Sequence, residues 1–208
     1  MLVVVTNRKL VNGNFLEFIQ EISKGNPFKL ILREKDLDKS SYCQLFQKLS
    51  SDYIEEGMDL VIHNHSDIGV SLGVKTIHFS FNEFKKLIGE DKKGVLANFK
   101  SIGVSIHSKE ESKFAEENGA NYLIAGHIFQ TDSKKDLKPK GLSYLKEIVN
   151  NTSLDVYGIG GINLKNIDSV LKTGVKGVAI MSDIMKSKNP YKKVLDYKKV
   201  ISDFNNSS

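Results

Sequence analysis

A chain of 208 residues that is 40% hydrophobic and 26% charged has the make-up of an ordinary soluble globular protein and can bury one substantial core, which excludes a disordered or fibrous chain. The net charge of +5 comes from lysines scattered beside Asp and Glu, not gathered with aromatics on one element, so a nucleic-acid partner is not expected. The longest apolar runs, such as Val175–Met181, fall far short of the ~20 residues of a membrane span, so no membrane partner is expected either. The single cysteine, Cys43, rules out an intramolecular disulfide and fits a reducing, cytoplasmic setting.

Met1-Leu2-Val3-Val4-Val5 lacks a basic leader and a small-residue cleavage site, and reads as a first strand. Short β-branched runs then predict strands at Leu2–Thr6, Leu30–Arg33, Leu60–Asn64, Thr76–Ser80, Gly103–His107, Tyr122–Phe129, Val156–Gly160 and Gly177–Ser182. Between them apolar residues recur at helical spacing, as in Tyr42, Leu45, Phe46, Leu49 and Tyr53. Ser108 with Glu111 forms a capping box, and Asn163 is placed to cap the helix carrying Ile167, Val170 and Leu171. Asp183–Phe204 reads as the last helix and the final Asn-Asn-Ser-Ser as frayed. This alternation predicts parallel strands with right-handed crossovers. The expected fold is α/β, a single (β/α)8 TIM barrel in one domain spanning residues 1–208. An open doubly wound sheet is disfavoured because no G-x-G-x-x-G follows the first strand.

In such a barrel the loops after the strands converge on one mouth. Only two of the 30 basic residues are arginine, Arg8 and Arg33, and both follow a predicted strand. A planar five-donor fork there suits phosphate or carboxylate. All five histidines lie on or just after strands three to six. His127, after Gly126, is placed to take a proton at one carbon and return it at another, whereas His63, His65, His78 and His107 read as structural or peripheral. Gly160-Gly161-Ile162-Asn163 suggests backbone amides, and a following helix, aimed at a phosphate held together with the loop after strand eight. His63, His65, His78 and Glu83 match no strong ligand motif, so no metal site is expected.

Val5-Thr6-Asn7-Arg8, Leu32-Arg33-Glu34-Lys35-Asp36-Leu37, Ile102–Ser108, Gly126-His127-Ile128-Phe129-Gln130-Thr131 and Gly158-Ile159-Gly160-Gly161-Ile162 follow one another in an order and spacing that resembles the thiamine phosphate synthase superfamily. The resemblance runs from residue 2 to about residue 185 and implies the same barrel. It covers two branches: a synthase that couples hydroxymethylpyrimidine pyrophosphate to thiazole phosphate with Mg²⁺, and a TenI-type thiazole tautomerase that uses no metal. On the residues that match, it implies pyrophosphate binding by Arg33 and Lys35, further substrate contacts from Ser105, Thr131, Ser133 and Lys134, and thiazole-phosphate binding at Gly160 and Gly161, where Ser182 after strand eight is placed to help hold the phosphate. The sequence departs from the synthase pattern at Ile31, where a glutamine stands in synthases. His63-Asn64 replaces an Asn-Asp pair, and Glu83 replaces a second metal-binding aspartate. His127 stands where synthases carry proline.

The expected activity is therefore that of a cytoplasmic isomerase, a thiazole tautomerase of thiamine biosynthesis. His127 is its acid/base, a phosphorylated thiazole its substrate, and no cofactor is needed. The synthase, with Mg²⁺, and a non-enzymatic regulator of the TenI type stay open as alternatives, as do a homo-oligomeric state and the roles of His63, His65 and His107.

Overall fold

A computed structural model describes residues 1–55, 57–90, 93–134 and 136–207, with Lys93 and Ser133 described by their backbone alone. Eight parallel strands close in chain order into a barrel. They are β1 (Leu2–Val5), β2 (Lys29–Leu32), β3 (Leu60–His63), β4 (Thr76–Ser80), β5 (Ser101–Ile106), β6 (Tyr122–Gly126), β7 (Asp155–Ile159) and β8 (Gly177–Ile180), and β8 returns to pair with β1. The crossovers carry α1 (Phe15–Lys24), α2 (Lys39–Asp52), α3 (Ser66–Ser71), α4 (Phe81–Gly89), α5 (Lys109–Glu117), α6 (Gly141–Asn150) and α7 (Ile167–Leu171). The chain is thus a (β/α)8 TIM barrel, as the alternation predicted.

Parallel strands are covered on both faces, so apolar residues occupy both phases of the period-two pattern. Outward residues such as Leu2, Val4, Leu30, Leu32 and Ile62 pack under the helices. Inward residues Val3, Val5, Ile31, Val61, Tyr122, Ile124, Tyr157 and Ala179 fill the barrel as a second, smaller cluster. Each fully buried aliphatic side chain contributes roughly 1.5–3 kcal/mol of transfer free energy. Tyr42 on α2 ties the layers together: its hydroxyl donates to the Leu32 carbonyl at 2.6 Å and accepts from the His63 amide at 3.0 Å.

Three expectations are corrected. The sixth strand stops at Gly126 instead of Phe129, because His127–Phe129 turn to the β7 loop and the entry to α6. There Ile128 and Phe129 N–H donate to the carbonyls of Ile159 and Gly160, and the Lys140 amide donates to the His127 carbonyl. The last helix is two, α8 (Ser182–Met185) and α9 (Pro190–Asn206). Pro190 cannot continue a helix, and Asn189 caps α9 by accepting from the Lys192 amide at 2.9 Å; α9 runs past Phe204 to Asn206. The helix expected near Asn163 begins only at Ile167. The Ser108 cap forms as expected, accepting from the Glu111 amide at 3.2 Å, and Glu111 in turn accepts from the His107 amide at 2.6 Å.

Candidate active site

Alternation decides which residues reach the mouth. On β2, Lys29, Ile31 and Arg33 share the inward phase; on β3, Val61 and His63; on β4, Thr76, His78 and Ser80; on β5, Gly103, Ser105 and His107. The last inward residues of these four strands are polar at the C-terminal ends, where such barrels do their chemistry. They open there into a cavity of ≈ 830 Å³.

Its cationic wall is Arg33, Lys35 and Lys134. Among the described residues none of the three has a carboxylate within 4 Å, in contrast to Arg8, whose guanidinium is bidentate on Asp36 at 2.7 and 2.8 Å and also donates to Glu34 at 3.2 Å. Desolvation lowers the Arg33 pKa. Lys35 and Lys134 are lowered by desolvation first and by the Arg33 charge next. Glu34 beside them is 3% exposed and committed to the Thr6 hydroxyl at 2.6 Å and the Arg8 amide at 3.0 Å. Lys134 Nζ donates to His107 Nε2 at 3.1 Å, and His107 is lowered by desolvation and then by Lys134.

The floor is a layer of buried histidines. The His63 and His78 rings stack at 6.1 Å. His78 Nε2 is 2.8 Å from the Ser105 hydroxyl and Nδ1 is 3.3 Å from the Tyr122 hydroxyl. Gly103 makes this layer possible: a Cβ there would lie 2.1 Å from Tyr122 and 2.4 Å from His78 Nδ1. Burial holds His78 down at about 3 and His63 well below its usual value, so both rings are neutral near pH 7.

The third wall is backbone. Gly160 and Gly161 have φ of +104° and +66°, and a Cβ on them would lie 2.3 Å from His127 Cβ and 2.5 Å from the Gln130 carbonyl oxygen. Both conformation and close approach therefore demand glycine. The following segment is a turn held by Asn166, whose side-chain amide donates to the Gly161 carbonyl at 2.9 Å and whose Oδ1 accepts from the Asn163 amide at 2.8 Å. The late, five-residue α7 removes the expected helix dipole from this wall and leaves it to main-chain amides and Ser182. The Gly126–His127 peptide is cis. The His127 ring is buried in the cavity wall, with Nε2 at 3.3 Å from the Leu137 carbonyl, so Nε2 carries the proton.

Of the residues singled out in sequence, Arg33, Lys35, Ser105, His127, Thr131 and Lys134 line this one cavity, together with Gly160, Gly161 and Ser182. The Ser133 side chain lies outside the described residues. Arg8, His65 and Glu83 are not in the lining, and His65 packs instead on Tyr42 at 4.4 Å. Sequence reasoning missed His63 and His78 as floor residues, although their inward phase on β3 and β4 pointed there. It also missed Lys186, Lys188 and Lys193, which reach the mouth because α8 breaks from α9.

The Mg²⁺ that the synthase resemblance implies does not fit the side chains present. Asn64 spends its Oδ1 on the Ser80 amide at 2.8 Å, and Glu83 is exposed on α4 away from the cavity. The carboxylates that do line it among the described residues, Asp132 and Asp183, are engaged by Lys186 at 3.1 Å and by Tyr197 and Lys193 at 2.6 and 3.3 Å. No group of three or more His, Cys, Asp or Glu among the described residues could hold a metal ion, whereas Mg²⁺ favours hard anionic oxygens.

Comparison with known proteins matches residues 2–184 to the family described as thiamine monophosphate synthase. A thiamine-phosphate synthase of Clostridium acetobutylicum is 33% identical over 97% of this chain and 93% of its own length. One of Desulfitobacterium hafniense (strain Y51) is 35% identical over 91% of each. The solved structure of a thiamine phosphate pyrophosphorylase from Pyrococcus furiosus superposes with a TM-score of 0.80 at 27% identity, covering 98% of this chain and 96% of that one. These relatives correct the tautomerase expectation. It rested on His127 standing where synthases carry proline and on the departures at Ile31, His63-Asn64 and Glu83, and relatives at this level over nearly the whole chain are named synthases. No helix among the described residues is long and apolar enough to cross a membrane.

Proposed function

We propose, from the premise that this chain belongs to the thiamine monophosphate synthase family, that it joins a hydroxymethylpyrimidine diphosphate to a thiazole phosphate. The observation that carries this reading is that one cavity is walled on one side by Arg33, Lys35 and Lys134, with no carboxylate partners among the described residues, and on another by the Gly160-Gly161 backbone and Ser182. A diphosphate on the cationic wall and a monophosphate on the glycine wall would use both at once.

In this reading the cationic wall, with Thr131 and Ser133 in the β6 loop, takes the diphosphate, and the glycine wall takes the thiazole phosphate. The thiazole ring nitrogen attacks the methylene carbon of the pyrimidine. A C–N bond forms, the C–O bond to the diphosphate breaks, and pyrophosphate leaves with the bonding pair. Arg33, Lys35 and Lys134 stabilise the charge that gathers on the leaving group, the electrostatic contribution that preorganised donors make best in a partly desolvated site. Holding both rings over the neutral His63–His78–Ser105 floor supplies proximity without placing a cation under the methylene that is losing its anion. His127 is a positioning residue here, packing against Gly160 so that the glycine wall stays open.

The test is to incubate the chain with both half-molecules and separate the products. Thiamine phosphate and pyrophosphate in equal amounts are expected. Recovery of both halves unchanged, with and without Mg²⁺, would overturn the reading.

A further inference from the structure

We infer that this chain neutralises the diphosphate with its own cations, Arg33, Lys35 and Lys134, so that pyrophosphate binding and the coupling proceed without a divalent ion. The inference rests on the coupling reading above and deepens it.

Arg33, Lys35 and Lys134 have no carboxylate partner among the described residues, while the carboxylates around them are engaged by other donors. Arg33 and Lys35 feel each other and Lys134, and the nearest acid, Glu34, is buried under three donors from Thr6 and Arg8. Asp36 is taken by Arg8 and Lys9, and Glu111 by the His107 amide and ring. Asn64 is neutral and pinned to Ser80. A Mg²⁺ ion entering beside Arg33, Lys35 and Lys134 would meet three positive side chains and, among the described residues, no carboxylate within 4 Å of any of them. A diphosphate entering alone meets a planar guanidinium that binds two oxygens at once and two ammonium groups that bind the others. The same three cations repel one another when the cavity is empty, so the anion relieves a cost that a metal would increase.

The experiment is calorimetric titration of the whole chain with sodium pyrophosphate, once in EDTA and once in MgCl₂, repeated on Lys35→Ala and Lys134→Ala. Lys35 is exposed at the rim, so its removal leaves folding intact. Binding in EDTA is expected to be as tight as in Mg²⁺ to within about threefold, and each variant to weaken it by about tenfold or more. Binding that requires Mg²⁺, or variants that bind like the parent, would overturn the inference. Turnover in the same two buffers separates the two ideas. Thiamine phosphate formed in EDTA supports the inference. Product formed in Mg²⁺ alone overturns it and leaves the coupling reading standing. Product in neither buffer removes the coupling reading, and the inference with it.

Discussion

A buried lysine opens strand β2 and a half-buried arginine stands just past its other end, and the two are treated differently. At the base, Lys29 is 7% exposed and its ammonium is bonded to Asp59, which also accepts from Thr76 at 3.0 Å; the rings of Phe28 and Tyr122 cover it at 4.8 and 5.5 Å. At the mouth, on the same inward phase, Arg33 has no carboxylate within 4 Å among the described residues. A charge settled within the fold serves folding; a charge left without a counter-ion in a cavity marks where a ligand's charge belongs. Arg8 sharpens the point, since it too follows a strand at this end of the barrel and is nonetheless tied to Asp36 and Glu34.

The contrast breaks first, and by most, at Arg33. Arg33→Ala removes two charge-assisted hydrogen bonds from the bound diphosphate, about 1.5–3 kcal/mol each. Pyrophosphate affinity by calorimetry should fall roughly 100-fold or more while the melting temperature holds or rises; unchanged affinity would break the contrast. Gly160→Ala attacks the other wall. With φ at +104° and His127 Cβ at 2.3 Å, it should cost about 2 kcal/mol, lowering the melting temperature by about 4–8 °C for a chain of this size.

His78 should shape acid stability. Its folded pKa is depressed to about 3 from 6.5, so above pH 6.5 both folded and unfolded states are neutral and the full stability is present. As pH falls below 6.5 the unfolded chain takes up a proton that the folded ring refuses, and stability is lost at about 1.4 kcal/mol per pH unit. Denaturant titrations of His78→Gln between pH 6.5 and 4 should show a slope shallower by about one proton. The smallest effect is expected at the base. Asp59 is 33% exposed and water can serve it once its partner is gone, so Lys29→Met should cost only about 1 kcal/mol in a denaturant midpoint. Pyrophosphate affinity should not move, whereas a loss matching that of Arg33→Ala would erase the distinction between the two ends.

The barrel was legible because parallel strands buried on both faces leave apolar runs that need only be counted, and because the mouth follows from period two. What distinguishes Arg8 from Arg33 was not legible: two arginines in a lysine-rich chain both looked reserved for anions, and only the distances to Asp36 and Glu34 tell them apart. The glycine pair was read as amides aimed at a phosphate, and its need for positive φ and close approach was not drawn from the sequence. Its cause lies in His127 and Gln130, more than thirty residues away in the sequence, and Asn166 holds a turn where a helix had been expected. The choice of activity went astray on His127 and on the departures at Ile31, Asn64 and Glu83, because a histidine can occupy position 127 for its packing against Gly160 and its bond to the Leu137 carbonyl. Lys186 and Lys188 were hidden by reading α8 and α9 as one helix, although Pro190 marked the break.

The most direct test is a crystal soaked with pyrophosphate and thiazole phosphate together. The account predicts two separate anions in the one cavity: pyrophosphate on Arg33, Lys35 and Lys134, and the thiazole's phosphate against Gly160, Gly161 and Ser182. Pyrophosphate seated on the glycine wall with Arg33 left untouched would contradict it.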